Sequence, residues 1–148
     1  MPLLPQETAA ALRKELEEHL VGEVTLTLVG PSALHPPAQD LTPQIRELYE
    51  EVASLSSRVR FQYVELPSAE QREALGLEPG EMGPLTVVSG AARGRVRFLG
   101  APAGHEFSSF VEDLVLVSRG ESGLSEASKA SLSRLTTPIH IRVFFTPT

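Results

Sequence analysis

Two alternating segments with one amphipathic stretch between them constrain this chain more than any other feature. Val24-Thr25-Leu26-Thr27-Leu28-Val29 and Val59-Arg60-Phe61-Gln62-Tyr63-Val64 place apolar and polar residues in turn. Both are rich in β-branched or aromatic side chains, and that pattern predicts strands with one face buried. Between them, Ile45, Leu48, Tyr49 and Val52 recur at i, i+3, i+4 and i+7, a single helical stripe. Thr42 is the expected N-cap of that helix, and Pro43 falls in the first turn, where its missing N–H is not needed.

The rest of the chain extends this strand–helix–strand core in both directions. Leu12, Leu16 and Leu20 recur at i+4 and predict a helix over residues 7–20, with Gly22 as its stop. Residues 31–40 are rich in Pro and Ala and read as a loop. Pro67 ends the second strand, and Ser68 is placed to cap a short helix running through Leu75. Residues 76–83 form a turn-rich connector. A strand over 84–88 then begins on Pro84, a position where proline is tolerated. Residues 90–94 predict a hairpin turn into a strand over 95–99. Phe107, Phe110, Val111, Leu114 and Val115 stripe a helix over 104–118, and a weaker helix is expected over 125–134. The β-prone run over 139–145 predicts a final strand. On periodicity alone, several α/β arrangements fit this order.

Composition excludes several functions. With 148 residues, 41% of them hydrophobic, the chain can bury one domain-sized core. No apolar run approaches the ~20 residues of a membrane helix, so no membrane partner is expected. The N-terminus lacks the ordered regions of a signal peptide, so a cytoplasmic location is expected. A net charge of −6 argues against a general nucleic-acid binder, which needs a basic face to displace counterions. The one basic cluster, Arg93, Arg95 and Arg97, would share a strand face, with Val96 and Phe98 on the other. It is expected to be a solvated face rather than an anion or RNA site. There is no cysteine. Disulfide scaffolds, thiolate zinc sites and cysteine nucleophiles are therefore excluded.

Other motifs offer little chemistry. His105-Glu106 begins like a zinc-protease helix, but Ser109 stands where the second histidine belongs. Both residues are expected to serve the free N–H groups and dipole at a helix start. His19 and His140 have no acidic or histidine cluster nearby in sequence. No G-x-S-x-G and no glycine-rich phosphate loop occurs. Glu15, Glu17 and Glu18, and likewise Glu47, Glu50 and Glu51, read as solvated helix faces. No metal and no cofactor is expected.

Specific residues resemble a known family. Phe98-Leu99-Gly100-Ala101-Pro102-Ala103-Gly104-His105-Glu106-Phe107, with Val111-Glu112-Asp113 and Val117-Ser118-Arg119, is similar to the first half of two-domain protein disulfide oxidoreductases. These glutaredoxin-like proteins join two thioredoxin-fold units in tandem. Val143-Phe144-Phe145-Thr146-Pro147-Thr148 resembles the strand that opens their second unit. The Gly-His-Glu-Phe stretch also resembles the N-terminal domain of the alkyl hydroperoxide reductase flavoprotein subunit, another tandem pair. The resemblance implies an α/β, thioredoxin-like three-layer sandwich with a central mixed sheet, plus an N-terminal helix and a C-terminal strand. Residues 1–135 would form the thioredoxin-like domain, and 136–148 the strand opening a second unit.

The resemblance also implies where the chain departs from its relatives. Counted back from the helix stripe, the first unit's Cys-x-x-Cys falls on His35, Pro36, Pro37 and Ala38, so the redox loop is degenerate. The second unit's Cys-x-x-Cys would follow Thr148. No catalytic residue is expected, although His35 could act as a base or ligand near the former nucleophile position. Gly83-Pro84 would occupy the cis-proline position beside a substrate groove. These inferences imply a redox-inactive unit of a disulfide-reductase or peroxide-defence system, docking a redox-active thioredoxin-like domain or a peroxiredoxin-type partner. Two alternatives stay open: a free-standing peptide-binding module, or the first half of an active oxidoreductase. An apolar final strand is expected to pair within the sheet or with a second copy, giving a homodimer.

Overall fold

In a computed structural model of the chain, the structure describes residues 2–31, 39–81, 83–139 and 141–144. Among the described residues nine elements follow in order: α1 (Gln6–His19), β1 (Val24–Gly30), α2 (Thr42–Ser54), β2 (Val59–Glu65), α3 (Ala69–Leu75), β3 (Leu85–Ser89), β4 (Val96–Leu99), α4 (Glu106–Arg119) and α5 (Glu126–Leu132). The four strands form one open mixed sheet in the order β2-β1-β3-β4. β1 runs parallel to β2, in register from Val24↔Val59 to Gly30↔Glu65. β3 is antiparallel to β1 and β4 is antiparallel to β3.

The strand alternation sorts side chains between two helical layers. On one face Val24, Leu26 and Leu28 meet Leu12 and Leu16 of α1, Ile45, Tyr49 and Val52 of α2, and Phe110 and Leu114 of α4. The Tyr49 and Phe110 rings stack at 5.3 Å, which places α2 and α4 side by side on this face. Phe98 packs edge-on against Phe110 at 5.8 Å. On the other face Val29, Leu85 and Val87 form a smaller cluster, against which Leu75 at the end of α3 and Leu77 pack.

Local chemistry fixes the helix ends. Ser68 caps α3 reciprocally: its hydroxyl accepts from Gln71 N at 3.2 Å, and Gln71 Oε1 accepts from Ser68 N at 2.9 Å. Thr42 is not the N-cap expected of it. It lies inside α2, and Asp40 Oδ1 accepts from both its backbone N (3.0 Å) and its hydroxyl (2.6 Å). His105 also differs from expectation. Its backbone is already helical (φ −66, ψ −27) rather than extended as in a capping residue, and its side chain makes no capping hydrogen bond. Glu51 is not merely solvated: its carboxylate accepts from Leu4 N at 2.9 Å and from Leu3 N, tying the residues before α1 to α2.

The final strand is a correction. Ile139 and residues 141–144 lie outside the sheet. Ile141 is 79% exposed and Phe144 88%. A strand is stable only with a ladder partner, and no edge of this sheet is paired with that run among the described residues. Arg142 reaches Glu78 at 3.2 Å.

Candidate functional site

One end of the sheet gathers three chain segments that are far apart in sequence. Gly30 and Pro31 leave β1, Leu66 and Pro67 leave β2, and Gly83 leads into β3. Together with Val29, Arg72 and Glu81 they line a hollow of about 150 Å³. The Gly30–Pro31 and Gly83–Pro84 peptide bonds are both cis.

Two glycines permit the close approach. A Cβ on Gly83 would lie 2.1 Å from the Val29 carbonyl oxygen and 3.0 Å from Gly30 Cα, both backbone atoms. A Cβ on Gly30 would lie 2.5 Å from Thr42 Cγ2 and 3.1 Å from the Tyr63 hydroxyl. Leu66, at the lip, holds a left-handed backbone (φ 47), and its N–H donates to the Gly30 carbonyl at 3.0 Å. That conformation costs a non-glycine residue about 1–2 kcal/mol. An exposed leucine in strained backbone beside a hollow marks a place where neighbouring structure dictates conformation.

The charges around the hollow are tied down. Arg72 Nη2 donates to the carbonyls of Glu78 (2.6 Å) and Glu81 (3.0 Å). Glu81 Oε2 accepts from Glu78 N (2.9 Å) and from Arg97 Nη1 (2.7 Å). These bonds hold the connector between α3 and β3 in one shape. Beside Gly30, burial first, then the carboxylates of Glu65 and Asp40, raise the Tyr63 phenol above its ordinary value. Arg46, 5.1 Å over the ring, partly offsets this. The phenol therefore stays protonated at neutral pH.

Of the residues singled out in the sequence, Gly83 and Pro84 lie at this end of the sheet. His35, Pro36, Pro37 and Ala38 lie outside the described residues, as does His140. His19 bonds to Glu15 at 3.1 Å on a helix surface, away from the groove. Sequence reasoning missed Leu66, Arg72, Glu81 and Tyr63. Only the Tyr63 alternation and the Pro67 break gave any signal, because tertiary packing assembles the rest. Among the described residues no group of three or more His, Asp or Glu could hold a metal ion. With no cysteine, the chain supplies no thiolate, and the groove offers backbone, apolar surface, the Arg72 guanidinium and a Glu81 carboxylate paired with Arg97.

A mixed sheet in this order, with helices on both faces and the groove at the ends of β1 and β3, is a thioredoxin-like fold. Solved structures share it, three of them as follows. The alkylhydroperoxide reductase AhpF of Enterococcus faecalis superposes with a TM-score of 0.67 at 21% identity, over 89% of this chain and 61% of that one. A protein disulfide oxidoreductase from Aeropyrum pernix gives 0.68 at 22% identity, over 88% and 55%. The NTD_N/C domain of the Enterococcus faecalis reductase gives 0.64 at 17% identity, over 87% and 59%. The chain thus spans little more than half the length of each. No family model and no curated protein matches the sequence.

Proposed function

We propose that this chain is a non-catalytic thioredoxin-like unit of a disulfide-reductase or peroxide-defence system, serving as a scaffold or docking surface for a redox-active thioredoxin-like or peroxiredoxin-type partner. One observation carries the reading: a thioredoxin-like fold with its groove end formed, in a chain without a single cysteine. Thiol–disulfide exchange needs a thiolate to attack and a second thiol to resolve the mixed disulfide. The exposed Ile139, Ile141, Val143 and Phe144 support docking, because an apolar run of this kind normally finds a partner.

On this reading the chain is cytoplasmic and not an enzyme, and its apolar tail contacts the partner domain or a second copy. Calorimetric titration with a purified Cys-x-x-Cys thioredoxin-fold protein of the same cell should give saturable heat, lost when residues 136–148 are deleted. Absence of binding, or equal binding by the truncated chain, would overturn the docking role. Light scattering separates the homodimer from the hetero-partner. On the alternative reading, in which the chain is the first half of an active oxidoreductase, the DNA encoding residues after 148 would carry a Cys-x-x-Cys.

A second reading rests on Gly83, whose close approach to Val29 and Gly30 shapes the groove. There the chain binds extended peptides without catalysis. Gly83→Ala would weaken such binding, while leaving docking through residues 139–144 unchanged.

A further inference from the structure

Arg93 and Arg95 are exposed, as the solvated strand face expected from their spacing requires, but Arg97 departs from it. Arg97 is half-buried and committed: its guanidinium donates to Glu81 Oε2 at 2.7 Å and to the Gly76 carbonyl at 3.1 Å. Arg95 lies against the same glycine. Gly76 is the left-handed C-cap of α3 (φ +65), and a Cβ there would fall 2.6 Å from Arg95 Nη1, which places that guanidinium directly over the glycine. Two like charges thus meet beside one residue. Arg93, from the β3–β4 turn, completes a hollow of about 280 Å³ floored by Leu75 and Gly76. Neither Arg93 nor Arg95 has a carboxylate within 4 Å among the described residues, in a chain that carries six more acidic than basic groups.

The hollow therefore holds three guanidinium groups and one neighbouring carboxylate, an excess of two positive charges. From this we propose that the Arg93–Arg95–Arg97 hollow binds a small phosphate-bearing anion. Guanidinium groups match phosphate oxygens with paired N–H donors. A dianionic phosphate balances the excess charge. Arg97 serves as the fixed wall, held by Glu81, while Arg93 and Arg95 supply the free donors. The overall negative charge disfavours a long polyanion at the same place.

The test is a titration of the ¹⁵N-labelled chain with inorganic phosphate, at ionic strength held constant with sodium chloride. Saturable shifts are expected at the Arg93 and Arg95 side-chain N–H groups and at the Gly76 and Gly94 amides. The Arg93→Gln/Arg95→Gln double variant should bind about tenfold more weakly or worse. Arg60→Gln, which removes an exposed arginine paired with Glu23 on β2, should bind as the parent does. Shifts that do not saturate, that chloride reproduces, or that survive in the double variant would overturn the proposal. So would a single-stranded RNA oligonucleotide that binds this face more tightly than phosphate with a steep salt dependence. Should the double variant fail to fold, the residue map from the parent titration decides by itself.

Discussion

Tyr49 is a fully buried phenol, and its hydroxyl meets the Thr86 hydroxyl at 2.7 Å under the sheet. Burial raises this phenol well above its ordinary value, and the Thr86 hydrogen bond only partly opposes that. Tyr49→Phe keeps the ring stacked on Phe110 but strands a buried Thr86 hydroxyl, so it should cost about 1–3 kcal/mol in urea unfolding. Stability equal to the parent would show that Thr86 finds another partner. Asp113 on α4 gives a pH-dependent counterpart. Half-burial first, and the Glu112 charge second, raise its carboxyl above the ordinary value. The folded state then holds that proton at pH values where the unfolded chain has lost it, so its contribution to stability falls as pH rises from the unfolded value through the folded one. Asp113→Asn should therefore raise the thermal midpoint at neutral pH and leave it unchanged in strong acid. A variant that melts below the parent at pH 7 would contradict this. Tyr49 as a core residue was legible from its stripe, but its bond to Thr86 joins α2 to β3 and no local pattern announces it.

At the scale of elements, α3 depends on its cap, because none of its residues is fully buried. Ser68→Ala should cost about 1 kcal/mol and speed amide exchange across residues 69–75, while α1 and α4 exchange as before. Uniform protection would mean that packing of Leu75 alone holds the helix. Element legibility tracked how local each determinant is. β1, β2, α2 and α4 followed from apolar spacing, and Ser68 from its position after Pro67. The start of α2 was misplaced because Asp40, two residues upstream, bonds Thr42 through both backbone and hydroxyl. The tail over 139–144 has the composition of a strand, yet strand formation requires a neighbouring edge. Its β-propensity was readable and its partner was not. In the groove, Gly83 and Pro84 were legible, whereas Leu66, Arg72 and Glu81 arrive from three separate segments through contacts that spacing does not encode.

For the whole molecule, the fold and the chemistry point in different directions. The sheet order, the two helical layers and the groove end are those of thioredoxin-like proteins, while the residue type that performs their exchange reaction is missing throughout. The proposed surfaces on this architecture are two: the apolar tail, and the arginine-lined hollow between α3 and the β3–β4 hairpin. The two surfaces are separable by variants, since truncation at residue 136 leaves Arg93 and Arg95 in place. The central claim is that this unit has no thiol–disulfide turnover of its own. It is tested most directly by reduction of insulin with dithiothreitol in the presence of the purified chain. The rate of insulin precipitation should match the protein-free control at every chain concentration, and acceleration that scales with added chain would contradict the account.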